Sequence, residues 1–63
     1  MTYDEMCAAV REMADNQIML ISDADRELIL GLALQLEMNE RIPASYAPKV
    51  AKIYATYQQN QYL

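Results

Sequence analysis

Sixty-three residues with a net charge of −4, no histidine and a single cysteine leave few chemistries open. A chain this short buries only about 60% of its unfolded surface, and one cysteine supplies neither a disulfide nor, without His, a zinc cluster. The overall acidity argues against sequence-independent binding to nucleic acid, which needs dense positive charge against phosphate.

The charge is unevenly placed. Residues 1–40 hold all nine acids with Arg11 and Arg26, a net of −7; residues 41–63 hold Arg41, Lys49 and Lys52 and no acid, a net of +3. One Gly, two Pro and abundant Ala, Leu, Met, Gln and Glu favour helix throughout. No alternating run of β-branched residues is bounded by turn residues, so no strand is expected. The reading is a single all-α domain over 1–63, a three-helix arrangement with helices at about 3–18, 22–38 and 45–59. The second and third form a hairpin and the first packs across it. The start MTYDEM is acidic where a signal peptide would be basic. The apolar runs 18–21 and 28–33 are far short of a membrane span. A cytoplasmic location is expected.

The first helix opens at Thr2, which with Glu5 makes a T-x-x-E capping box. Tyr3, Cys7, Val10 and Ala14 share one face, flanked by Met6, Met13 and Ile18. Asp4, Glu5, Glu12 and Asp15 occupy the other side with Arg11 and are candidates for an acidic contact face. Arg11 and Asp15 are spaced i,i+4, worth a few tenths of a kcal/mol.

The second helix should begin at the N-cap Ser22, with Asp23 and Asp25 in the first turn favoured by the helix dipole. It should end near Met38, with Asn39 able to take the left-handed cap conformation. This helix is apolar on two faces. At about 100° per residue, Leu28, Ile29, Leu32 and Leu36 form one stripe. Leu30, Leu34 and Met38 form another on the far side, with Gly31 at its edge. A surface helix of a small monomer needs only one apolar stripe. The second is therefore assigned to a partner, either another protein or a second copy, and a homo-oligomer is expected.

The third helix should start near Ser45 or Tyr46, after the extended pair Ile42-Pro43. Pro48 is tolerated within a first turn. Tyr46, Val50, Ile53, Tyr54 and Tyr57 make its apolar stripe, while Lys49, Lys52 and Thr56 lie on a different face. Two lysines are too few for a nucleic-acid footprint.

No motif for catalysis stands out. The cluster from Asp23 to Glu27 opens like a calcium loop, but the positions that need Gly and Glu hold Leu28 and Leu34. Cys7 lies on an apolar face with no imidazole to activate it. No metal, cofactor or catalytic residue is assigned. Five Tyr with no Phe or Trp leave two readings: core residues whose hydroxyls reach water, or interface anchors. Tyr57 and Tyr62 are the candidate aromatic anchors.

The segment 21–57 resembles a pattern of small bacteriophage and prophage proteins and some phage replication-associated proteins. In that pattern a Ser- or Thr-initiated helix with E-x-x-[FIL]-[IL] and a leucine pair precedes a polar turn. A hydrophobic-Ser/Pro approach and a helix with I-[YF]-x-x-[YF] follow. The residues that carry the resemblance are Ser22, Glu27, Leu28, Ile29, Leu32, Leu36, Ile42, Ser45, Ile53, Tyr54 and Tyr57, with Glu27 standing directly before Leu28-Ile29 rather than two residues apart from them. The Trp-Glu near the start of the pattern's first helix and the Lys-Gln after its second Ser are absent here. The resemblance implies a phage-like origin, with the host cytoplasm as location, and no catalytic role.

Together these point to a small acidic protein-binding module rather than an enzyme. If phage-encoded, it would inhibit a host defence or nucleic-acid-handling complex by steric and electrostatic blockade, as anti-CRISPR proteins do. Two alternatives are an accessory subunit of a phage replication or packaging complex and a homodimeric DNA-binding regulator. The second is disfavoured by charge, and no direct nucleic-acid or membrane binding is expected.

Overall fold

A computed structural model describes residues 1–16 and 20–61. Three helices account for most of them: α1 (Tyr3–Asp15), α2 (Asp23–Glu37) and α3 (Ala47–Asn60), the last preceded by a 3-10 turn over Ala44–Tyr46. The all-α, three-helix arrangement is as expected. Its packing runs through α1, which lies against both α2 and α3, whereas α2 and α3 make no comparable contact with each other. The expected α2–α3 hairpin is therefore not the organising pair. The Cα radius of gyration is 10.7 Å, against about 11 Å for a compact chain of this size, so the helices share one core.

Local chemistry sets most helix ends. At the start of α1 the Glu5 N–H donates to Thr2 Oγ1 (3.1 Å) and the Thr2 N–H donates to Glu5 Oε1 (2.7 Å), the complete capping box. Ser22 caps α2 by accepting from the Asp25 N–H (3.3 Å), and Arg26 pairs with Asp23 in the same first turn. At the far end Asn39 takes φ 60°. The Asn39 N–H donates to the Leu36 carbonyl (3.1 Å) and the Glu40 N–H to the Gln35 carbonyl (2.9 Å). These are the two bonds of a Schellman cap. Helix α1 is shorter than expected. It stops at Asp15, where Asn16 leaves helical geometry (ψ −120°) and donates its side-chain amide to the Glu12 carbonyl (2.9 Å). An Asn side chain that satisfies a terminal carbonyl competes with another turn of helix. Positions 17 and 18 of the expected span lie outside the described residues.

The core explains which face of each helix turns inward. Met6, Val10 and Met13 of α1, Ile29 of α2, Ile42, and Val50 and Tyr57 of α3 are fully enclosed. Cys7, Ala9, Ile21, Leu32 and Ile53 complete the core. On α1 the buried arc is centred on Met6 and Met13, not on the Tyr3–Ala14 stripe. The reason is geometric: a helix flanked on two sides must bury a wider arc than one lying on a single neighbour, and the two methionines sit at its middle. Tyr3 and Ala14 are only partly buried, at the α1 edge.

Three polar bonds tie distant segments together. The Ile42 N–H donates to Tyr3 Oη (3.2 Å), and Arg41 sits 4.0 Å above the centre of the Tyr3 ring. Tyr54 Oη donates to Glu12 Oε1 (2.9 Å), joining α3 to α1. Asn60 Nδ2 donates to the Leu20 carbonyl (2.6 Å), fixing the end of α3 to the α1–α2 link. Among the described residues Tyr57 Oη has no such partner, although it is buried.

Two stability predictions follow from these contacts. A buried hydroxyl without a partner carries a desolvation penalty of about 1–3 kcal/mol. Tyr57→Phe should leave stability unchanged or raise it by about 1 kcal/mol, read as a higher urea midpoint at the same slope; a clear loss would show that the hydroxyl is satisfied. Glu5 titrates with the fold. The Thr2 backbone N–H first, and then its hydroxyl, hold the Glu5 carboxyl below the ordinary glutamate value. A depressed folded pKa gives a contribution that is present above the unfolded value and is lost as pH falls through the folded one. Glu5→Gln keeps the capping hydrogen bond without the proton uptake. Its melting temperature should therefore fall less steeply on acidification than that of the wild type, and parallel curves would refute this.

Candidate functional site

The sequence assigns one apolar stripe of α2 to the core and the other to a partner, and the structure separates them cleanly. Ile29 and Leu32 are buried and Leu28, Ala33 and Leu36 pack beside them. On the opposite side Leu30, Leu34 and Met38 are 45%, 56% and 62% exposed. At about 1.5–3 kcal/mol for a fully buried aliphatic side chain, the three leave about 2–5 kcal/mol of burial unused. Gly31 lies beside them, exposed. A Cβ built on Gly31 would meet nothing within 4 Å, so no contact within the chain requires glycine there.

Leu30 and Leu34 of the stripe contribute to one wall of an open groove between α1 and α2, of about 640 Å³. Ala14 of α1 and Leu30, Ala33, Leu34 and Leu36 of α2 give it an apolar surface, and Arg11, Asp15 and Glu37 supply its charges. Such a lining can hold apolar side chains and orient a charged neighbour. Among the described residues no group of three or more His, Cys, Asp or Glu is placed to hold a metal ion, and no helix is long and apolar enough to cross a membrane. Cys7 is buried in the core.

The four acids of the expected contact face lie on the side of α1 away from its buried arc, in different surroundings. Asp4, Glu5 and Asp15 are exposed and Glu12 is half-buried. Glu5 is engaged in the cap and Glu12 accepts from Tyr54. That bond is the main reason the Tyr54 phenol is held above its ordinary pKa. Glu5 and Glu12 flank a depression between α1 and α3, together with Tyr54. Asp15 belongs to the α1–α2 groove. Asp4 borders a shallow hollow with Tyr3, Arg41 and Glu40.

The aromatic anchors also resolve differently. Tyr57 is a core residue with no exposed surface, stacked against Tyr54 with ring centres 5.8 Å apart; it is not a surface anchor. Tyr62 lies outside the described residues. Three residues with structural roles escape sequence reading: Ile42 as core, Glu12 as an inter-helix acceptor and Asn60 as a tether. Only Ile42 leaves a sequence signal, as a lone aliphatic between polar neighbours.

Compared with protein families, curated proteins and solved structures, the chain matches none.

Gly31 gives a direct test of whether this surface is shaped for the fold or for something else. Glycine in a helix interior costs about 1 kcal/mol relative to alanine, and there is room for a methyl group. Gly31→Ala should raise the unfolding free energy by about 0.5–1 kcal/mol in chemical denaturation. A loss of stability would mean that the backbone at Gly31 is constrained within the chain.

Proposed function

We propose that this chain is a protein-binding module that acts by occupying a partner's surface, with the outer stripe of α2 as its contact. The observation that carries the reading is the exposure of Leu30, Leu34 and Met38 on the face of α2 opposite its buried stripe. Scattered exposed aliphatics are ordinary. Three in register along one helix, beside an apolar groove, are the pattern of a recognition surface. The groove's lining supports binding over catalysis, because its charged groups are Arg11, Asp15 and Glu37 and none is arranged with a nucleophile. Inhibition of a host complex by blockade, as the phage resemblance implies, is the form of this reading in which binding alone is the activity.

Leu34 is the position at which to test it. A photo-reactive phenylalanine analogue at Leu34 should give a discrete cross-linked adduct in a lysate of the encoding host, and the same group at Thr56 on α3 should not. Excess unlabelled wild-type protein should suppress the adduct. Excess Leu34→Glu protein should not, although its helical circular dichroism and melting should stay close to wild type, because an exposed position contributes little to the core. Equal adducts from both positions, or suppression by the Leu34→Glu protein, would remove α2 as the contact surface.

A further inference from the structure

We infer that the occupant of the α1–α2 groove is a basic amphipathic helix of another protein, with aliphatic residues facing the groove and Lys or Arg along its flanks. This rests on the proposal that the outer stripe of α2 is a binding surface, and adds the chemistry of what binds there.

The shape comes first. The groove runs between two helices, with Leu30, Ala33 and Leu34 on one wall and Ala14 on the other. Residues at i, i+3, i+4 and i+7 of an incoming helix present that kind of apolar ridge. The small side chains Ala14 and Ala33 let a helix backbone approach closely.

Charge decides between occupants. Asp15 and Glu37 flank the groove against the single base Arg11, and Glu27 on the outer side of α2 is exposed. Two acids against one base leave the groove's lining with a net negative charge. A second copy docking through its own α2 would bring its Glu27 and Glu37 against these same acids, a like-charge contact. A second copy docking through α3 would bring Lys49 and Lys52, which have the right sign. However, the outer face of α3 is lined by Lys52, Ala55, Thr56, Gln58 and Gln59 and offers no aliphatic ridge to cover Leu30 and Leu34. Among the described residues, α2 matches the groove in apolarity and α3 in charge, and neither helix matches in both. A basic amphipathic helix matches in both.

The test is an unbiased selection. A yeast-displayed library of 14-residue helices carries Leu fixed at i, i+3, i+4 and i+7 and flanking positions free to be Lys, Arg, Glu, Asp or Gln. It is sorted on wild-type protein and counter-sorted on Leu34→Asn. The expected result is enrichment of Lys and Arg at the flanks. The selected peptide should bind wild-type protein in fluorescence anisotropy at least tenfold more tightly than Leu34→Asn. It should bind the double variant Asp15→Lys/Glu37→Lys about three- to tenfold more weakly than wild type, in line with partly exposed pairs. Thr56→Glu should leave binding unchanged. A scrambled peptide of the same composition should not bind, which separates the amphipathic match from bulk charge. Melting curves confirm that each variant is folded. Enrichment of acidic or neutral flanks, no enrichment at all, or indifference to the charge reversals would overturn the inference. If the Leu34 cross-link nevertheless forms in lysate, the binding surface stands and only the partner chemistry falls. A wild-type dimer in sedimentation that Leu34→Asn dissociates would instead assign the groove to a second copy.

Discussion

The fold depends on α1 having neighbours on both sides. A chain of 63 residues has few apolar side chains to enclose, and a central helix makes the most of them. Met6, Val10 and Met13 are fully buried, and α2 and α3 each pack on α1. Methionine suits the middle of that arc, because an unbranched side chain can fill the irregular space between two flanking helices. Among the described residues, the same geometry leaves α1 as the main neighbour of α2. Its inner stripe is used by α1, and nothing among the described residues covers its outer stripe.

Polar contacts reinforce this arrangement at its periphery. Tyr3 reaches the segment between α2 and α3 through the Ile42 amide, and that segment buries Ile42 completely. Tyr54 is held by Glu12, and Asn60 by the Leu20 carbonyl. Each bond joins residues from separate elements, so none forms before the helices dock. They help specify which way α3 lies against α1, where a core of aliphatics and methionines alone would accept several packings. The hydroxyl of Tyr57, which has no partner among the described residues, shows the opposite balance: the ring's burial outweighs the loss of hydration at its tip.

What could be read from the sequence divides along the range of the interaction. The Thr2–Glu5 box, the Ser22 cap and the left-handed Asn39 are settled within three to five residues, and each is where local chemistry puts it. The two stripes of α2 were also legible, since helical periodicity alone places Leu30, Leu34 and Met38 opposite Ile29 and Leu32. The tethers were not: their partners stand 39, 42 and 40 residues apart. Glu12 therefore reads as one more surface acid and Asn60 as part of a polar tail. Tyr57 could have faced either way, because its phenol suits a core edge and an interface equally. The placement of α1 between its neighbours is a property of docking and leaves no local pattern.

The outer stripe of α2 carries weight because the helix itself has no use for it. Gln, Glu, Lys or Arg at positions 30, 34 and 38 would propagate a helix about as well as Leu and Met do, and would keep the surface wetter. Gly31 weakens the helix where alanine would fit. Folding alone would favour neither choice, and the core would be the same without them, since Ile29 and Leu32 make the inward contacts. Three half-exposed apolar side chains and an avoidable glycine therefore mark, among the described residues, a surface whose composition runs against the chain's own stability. Such departures from local consistency are expected where a surface serves something other than the fold. The groove beside them combines aliphatic side chains with Arg11, Asp15 and Glu37, and it is against this mixed lining that the proposed partner helix would have to fit.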